Sequence, residues 1–507
     1  MKKRFAICST IVLLLLLSAC GAPQTLDFSY APEGEELSSL MVETSQTHRA
    51  ELEHVPSAAD FADAISDDPA SAGLLSESEV ESLLRGHAAM ETVSKEQAQS
   101  DVSLLFRTLQ SAYGAYEYFG QEKFDAAEDA VTQWLSSQDD EIKVSALGEK
   151  LQESLAFMLT HDAHAMIYEP AAEEIEAQVR YEYFFADGFF FSKDVNGSYY
   201  MVNDGERWTL SSFSDEHVSV QPTLLQDGRI VYQPTLFALR KDAVQSSVTL
   251  KNSSGKAKIY RLDWTESQPL DVDLGTLDYR LIQEDGLTYV SLRSLVSGTY
   301  DNMLARYARE GAKARGSKAV IYDLRGNVGG SDSWPRKWIQ SFLGTQNSIE
   351  TSMLYAQKNS ALFAAENSES LLPEDEGTCF AREVHGTWYE NDIPIIVLVD
   401  DHCGSSGEGA VQLLKTLDNV LVVGSNTAGY QLCGNISTFT LPYTGIGVRF
   451  GSTLFLYGDG ENVDHRGYVP DVWCDPQDAL ASVLALLKEQ GVVSADACET
   501  VREKIVK

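Results

Sequence analysis

The chain is short of basic residues, of phosphate-binding loops and of long hydrophobic runs, and each shortage closes off a class of function. Against 75 Asp and Glu it carries 39 Lys and Arg, for a formal charge of −36, so it has no basic face with which to neutralise a nucleic-acid backbone. Neither GxGxxG nor GxxxxGK[ST] occurs, which removes the usual signatures of dinucleotide and nucleotide-triphosphate binding. No CxxC or histidine-spaced set suggests zinc, and neither a metal nor an organic cofactor is implied. The N-terminal apolar run, Ile11–Leu17, is too short to span a bilayer, which takes about 20 residues. No internal repeat is present.

What is there begins with that N-terminus. A basic start, a short apolar stretch and small residues ahead of Cys20 describe a secretory signal over residues 1–19. "Leu17-Ser-Ala-Cys20" is similar to a bacterial lipobox, which implies cleavage before Cys20, a lipid on its thiol, and an extracytoplasmic protein tethered to the cell membrane. Cleavage would remove Lys2, Lys3 and Arg4 and move the formal charge from −36 to −39, a well-solvated surface. Cys379, Cys403, Cys433, Cys474 and Cys498 would then lie in a compartment that permits disulfides. A Cys403–Cys433 bridge is one pairing open to them.

Residues 20–56, rich in Ser, Glu, Thr and Ala, read as a flexible tether. Apolar residues recur at helical spacing over 57–165, as in "VSLLFRTLQSAYGAYEYF". Short alternating and aromatic runs broken by Gly, Asn and Asp make 166–275 mostly strand. Over 276–490 strands alternate with helices, the pattern of a layered α/β core with parallel crossovers, and 491–507 is left as a tail.

The stretch "CGSSGEG", 403–409, lies where the apolar run Ile395–Val399 gives way to the amphipathic segment from Ala410. A serine at a strand-to-helix turn can present its hydroxyl to the helix N-terminus, whose free N–H groups and positive dipole end stabilise an oxyanion. The same residues also satisfy a capping role, with Ser405 or Ser406 as N-cap and Glu408 reaching back. A second loop, "YDLRGNVGG", follows the apolar residues Ala319–Tyr322 and would end at the same edge of a parallel sheet.

Taken in order, "YDLRGNVGG", "IPIIVLVDDHCGSSGE", "VLVVGSNTAGY" and "DHRGYVPDV" resemble the tail-specific, or C-terminal processing, serine peptidases and the related tricorn-core peptidases. That resemblance implies a Clp-protease/crotonase-like α/β catalytic core preceded by a helical region and a β-rich, PDZ-like domain, here without a clear carboxylate-binding loop. It implies Ser405 as nucleophile, with an oxyanion hole formed by the Ser406 N–H and a second N–H from the pair Gly329 and Gly330, in the first place Gly329. The lysine of the processing branch falls on Tyr430, a poor base at an ordinary pKa near 10. The histidine branch is matched instead by "LTHDAHAM", which puts the base on His164 with His161 as its alternative, and by "VDHRGYVPDV", which puts the orienting acid on Asp464. A peptide or protein substrate would be cleaved through an acyl-enzyme on Ser405. A silent, peptide-binding lipoprotein on the same fold is the rival reading.

Overall fold

A computed structural model describes residues 30–168, 181–239, 246–298, 300–367 and 371–506. The signal segment and Cys20 lie outside the described residues. Among those described, no helix is long and apolar enough to cross a membrane.

The central element is a ten-stranded mixed sheet. Its parallel part comprises Leu287–Ser291, Ala319–Asp323, Ile395–Val399, Val420–Gly424 and Val472–Trp473, each paired with the next. These strands read as continuous apolar runs because both faces of the sheet are covered. The side chains divide with period two: Val320, Tyr322, Ile395, Val397, Val420 and Val422 join one core. Ala319, Ile321, Ile396, Leu398, Leu421 and Val423 join the other. Helices Asp301–Glu310, Ser333–Leu343 and Ser406–Leu414 cover the first face, and Leu37–Glu53, Ala479–Glu489 and Ala495–Val506 the second.

A five-stranded sheet containing Gly447–Tyr457, Cys433–Thr440 and Met353–Lys358 packs against the helices Lys95–Ala112, Gln121–Ser137 and Val144–Ser154. Its long strand also pairs with Met166–Tyr168, Arg449 lying opposite Met166. The residues just before Met166, among them His164, are thereby brought alongside this sheet.

Three sequence expectations need correcting. The proposed tether contains the helix Leu37–Glu53, whose Leu37, Leu40, Met41 and Leu52 are buried at helical spacing. It is pinned by Asn419 N–H donating to Ser45 Oγ at 3.0 Å and by His48 Nε2 against Asp471 Oδ1 at 2.9 Å. The supposed tail contains the helix Ala495–Val506, seated through Cys498 and Val501. The β-rich middle region is not set apart from the core: Tyr181–Ala186, Ile230–Leu239 and Val218–Leu224 continue the ten-stranded sheet through a parallel bridge from Thr223 to Trp473. Other strands of that region form a sheet with its own core around Trp208, Tyr260 and Phe191. Composition reports the strand content of such a region but not which sheet each strand joins, because edge pairing is decided over long sequence separations.

Candidate active site

The loops after Asp323, Val399 and Gly424 leave the carboxyl ends of adjacent parallel strands, where sites in such sheets are built. Hydrogen bonds stitch them together in sequence. Gly404 N–H donates to Asn327 O at 2.9 Å, and Ala428 N–H to Cys403 O at 2.8 Å. At the root of the first loop, Asp323 is buried between Arg293 and Arg325 and also accepts from Tyr289 Oη at 2.9 Å. The two guanidinium groups hold its carboxyl far below the usual carboxylate range despite burial. Asp400 Oδ1 accepts Gly326 N–H at 2.8 Å and fixes the same loop from the neighbouring strand.

Ser405 sits at the turn into the helix Ser406–Leu414 with φ 54° and ψ −123°, a conformation that side-chain-bearing residues avoid. Such strain persists only where the surroundings impose it. The Ser405 N–H is held by Glu408 Oε2 at 3.0 Å, and its carbonyl accepts from Gly409 N–H at 2.9 Å and Gln431 Nε2 at 3.0 Å. Glu408 is buried and also accepts from Gly429 N–H at 2.9 Å, Tyr430 N–H at 2.8 Å and the Thr427 hydroxyl. The capping expectation is thus met by Glu408, which ties the serine turn to the 427–431 loop as well. Burial pushes its carboxyl pKa up, against those hydrogen bonds.

The glycine-rich loop comes against this turn. A Cβ on Gly329 would lie 2.8 Å from Ser405 Cβ and 2.9 Å from Ser406 N, and one on Gly330 would strike the Leu295 backbone at 2.0 Å. Both glycines have positive φ, 98° and 142°. Their N–H groups differ in availability: that of Gly329 donates to Asn327 Oδ1 at 2.9 Å. Neither the Gly330 N–H nor the Ser406 N–H donates to a described residue. Of the two glycines, Gly330 is therefore the one with a donor to offer an oxyanion, and the Asn327 side chain decides this.

His164 and Ser405 line one cleft of about 430 Å³, together with Gly329, Gly330 and Arg449. No hydrogen bond joins Ser405 Oγ to the His164 ring. The ring packs edge-on against Tyr430, centroids 5.1 Å apart, so the residue at the processing-branch lysine position instead forms a wall beside the histidine. Burial, with the Arg449 charge beside it, lowers the His164 pKa to about 3, so the imidazole is neutral at physiological pH. His161 is exposed and bonds its neighbour Thr160, and it does not line this cleft.

Asp464 does not reach the His164 ring. Its Oδ1 accepts Gln431 N–H at 2.6 Å and Leu432 N–H at 2.8 Å, and its Oδ2 accepts Ala163 N–H at 2.9 Å. His164 Nδ1 is buried and without a partner among the described residues. Asp464 thus fastens the turn that carries the histidine. Asp162, which the sequence reading passed over, does the same from within that turn: Oδ1 accepts the His164 backbone N–H at 2.9 Å and Oδ2 the Tyr113 hydroxyl at 2.8 Å. An aspartate two residues before a backbone N–H is the ordinary Asx-turn signal and was readable in "HDAH". Burial pushes both carboxyls above the usual range, and at Asp464 the charge of Asp162 adds to it.

Cys403 and Cys433 are buried free thiols, so the pairing considered for them is not formed. Cys403 Sγ packs toward Gly407 and Cys433 is directed to Asp162. Among the described residues no group of three or more His, Cys, Asp or Glu is placed to hold a metal ion.

Residues 286–473 match the model of Peptidase family S41. The matched stretch contains the glycine loop, Ser405 and Asp464 but not His164. No curated protein matches the chain. Among solved structures, mature CPAF aligns at 13% identity over 78% of this chain and 98% of its own, with a TM-score of 0.41. The photosystem II D1 C-terminal processing protease aligns at 15% identity over 79% and 98%, TM-score 0.38. The tricorn protease aligns at 15% over 82% of this chain and 37% of its own, TM-score 0.36.

Proposed function

We propose that the protein is a serine endopeptidase that acts on peptide or protein substrates, tethered outside the cytoplasm through a lipid on Cys20. The match of residues 286–473 to Peptidase family S41 supports serine peptidase chemistry. The observation that carries the reading is Ser405: a strained turn at a helix N-terminus, facing a cleft shared with a neutral histidine, beside the uncommitted Ser406 and Gly330 N–H groups. The tether and the location rest on the N-terminal sequence alone.

In this reading the scissile carbonyl lies against Ser405 with its oxygen toward the two N–H groups. His164 takes the hydroxyl proton as Oγ attacks, giving a tetrahedral oxyanion stabilised by donors already in place and by the helix dipole. Collapse expels the amine, which takes the proton from His164, and a water then releases the acyl group by the same steps in reverse. Asp464 and Asp162 act by positioning the 162–164 turn.

The unpartnered His164 Nδ1 and the backbone commitments of Asp464 favour a second reading, a peptide-binding protein without turnover. A fluorophosphonate probe separates the two. Covalent labelling of the wild type that is lost in Ser405→Ala is expected for a peptidase, and a folded wild type that never labels would overturn it.

A further inference from the structure

The cleft that holds Ser405 and His164 also holds a cation. Arg449 lies on the strand Gly447–Tyr457, whose Val448 and Phe450 point into the helical core, while Arg449 faces the cleft from the opposite side. Its one described side-chain hydrogen bond runs from Nη1 to the thioether of Met166 at 3.8 Å, a weak acceptor for a group with five N–H donors. No carboxylate of a described residue lies within ion-pair distance of it, in a chain with 75 acidic residues. Arg293, Arg325 and Arg336, by contrast, each have an acidic partner. Half-buried and without an acidic partner among the described residues, the Arg449 guanidinium is only partly solvated and has donors to give. Its effect on the neighbouring His164, whose proton affinity it lowers, indicates that its field reaches the site.

Asp401 and His402 also line the cleft, and most of its other side chains are apolar. Leu274, Val296 and Val328 are exposed by 48%, 49% and 38% respectively and, with Ile436, line the same space. Such a surface suits an aliphatic or aromatic side chain next to an anionic group. Planar guanidinium donors match a carboxylate bidentately.

We propose that Arg449 is a specificity-determining residue that receives a carboxylate of the peptide substrate, with the adjoining apolar side chain resting on Leu274, Val296 and Val328. The carboxylate is either the C-terminal one or that of an Asp or Glu side chain. The proposal rests on the reading of the cleft as a substrate site. It adds what that site selects.

The test uses the full chain and a peptide that the wild type cleaves, made in three forms: free C-terminus, C-terminal amide, and free C-terminus with each acidic residue replaced by its amide. Removal of the recognised carboxylate is expected to lower kcat/KM about tenfold to a hundredfold, the range for a charge-assisted pair. Which form loses activity identifies the carboxylate. Arg449→Gln should bring the ratio between forms close to one, and Arg449→Lys should restore part of it. Equal cleavage of all three forms by the wild type would overturn the proposal without recourse to any variant, as would discrimination that survives in Arg449→Gln. Fluorescence anisotropy of the same labelled peptides on Ser405→Ala keeps the two readings apart. Arg449-dependent, carboxylate-dependent binding, together with a folded wild type that never labels with fluorophosphonate, would sink the peptidase and keep the subsite. Labelling and turnover with no carboxylate preference would do the reverse.

Discussion

Asp323 and Asp464 are both buried carboxylates that hold loops near the serine turn, yet their surroundings are opposite. Asp323 lies between two guanidinium groups, and its charge is neutralised. Asp464 meets three backbone N–H groups and a second carboxylate, Asp162, with no cation described as its partner. Burial opposes ionisation at both, but the cations win at Asp323 and desolvation wins at Asp464. Hydrogen bonding fixes a carboxylate's position in either case, while the nearest full charges decide its protonation.

The largest effect is expected at Asp323. Asp323→Asn leaves two buried guanidinium groups without an anion and should cost about 3–5 kcal/mol at pH 7, measured by denaturant unfolding. Because the folded pKa is depressed, this stabilisation is complete above the ordinary carboxylate range and lost as pH falls, so wild type and variant should converge in acid. Convergence toward high pH instead would show that the two arginines do not control the site.

Asp464→Asn should cost less, about 1–3 kcal/mol, because it replaces one acceptor oxygen with an NH₂ group facing the Ala163 N–H. Here the sign is reversed. A raised folded pKa contributes stability below the ordinary range that fades as pH rises through the folded value, so the gap between wild type and variant should narrow toward higher pH. The displaced 162–164 turn should also slow fluorophosphonate labelling of Ser405.

At His164 the effect is read in activity. With its pKa lowered to about 3, the labelling rate should stay level from pH 8 to below pH 5. An inflection near 6.5 would mean that the ring is solvated as in a free peptide. Its contribution to stability is complete above the unfolded pKa and declines as pH falls from there toward 3. The smallest effect is expected at the thiols. Burial raises the pKa of Cys403 and Cys433, so native alkylation should leave both unmodified and dithiothreitol should not change the unfolding midpoint. Mass spectrometry of alkylated peptides reads this directly.

Much of this edge of the molecule is legible in the sequence. The apolar runs of 319–323, 395–399 and 420–424 are strands, and the serine turn opens a helix, because strand burial and helix initiation are written in residues at most a few positions apart. Gly329 and Gly330 announced a close backbone approach for the same reason. The docking of Leu37–Glu53 was missed although its Leu37, Leu40 and Met41 have helical spacing, because polar neighbours dilute that signal.

The strands, the serine turn and the glycine loop are products of local spacing and backbone stereochemistry. Tertiary packing sets the rest: Asn327 takes the Gly329 N–H and leaves that of Gly330, Asp464 spends its oxygens on Ala163, Gln431 and Leu432, and Arg449 faces the cleft with no acidic partner among the described residues. These choices join residues as much as 301 positions apart. A buried polar group takes whichever partner packing brings within reach, and no local pattern records which one that will be.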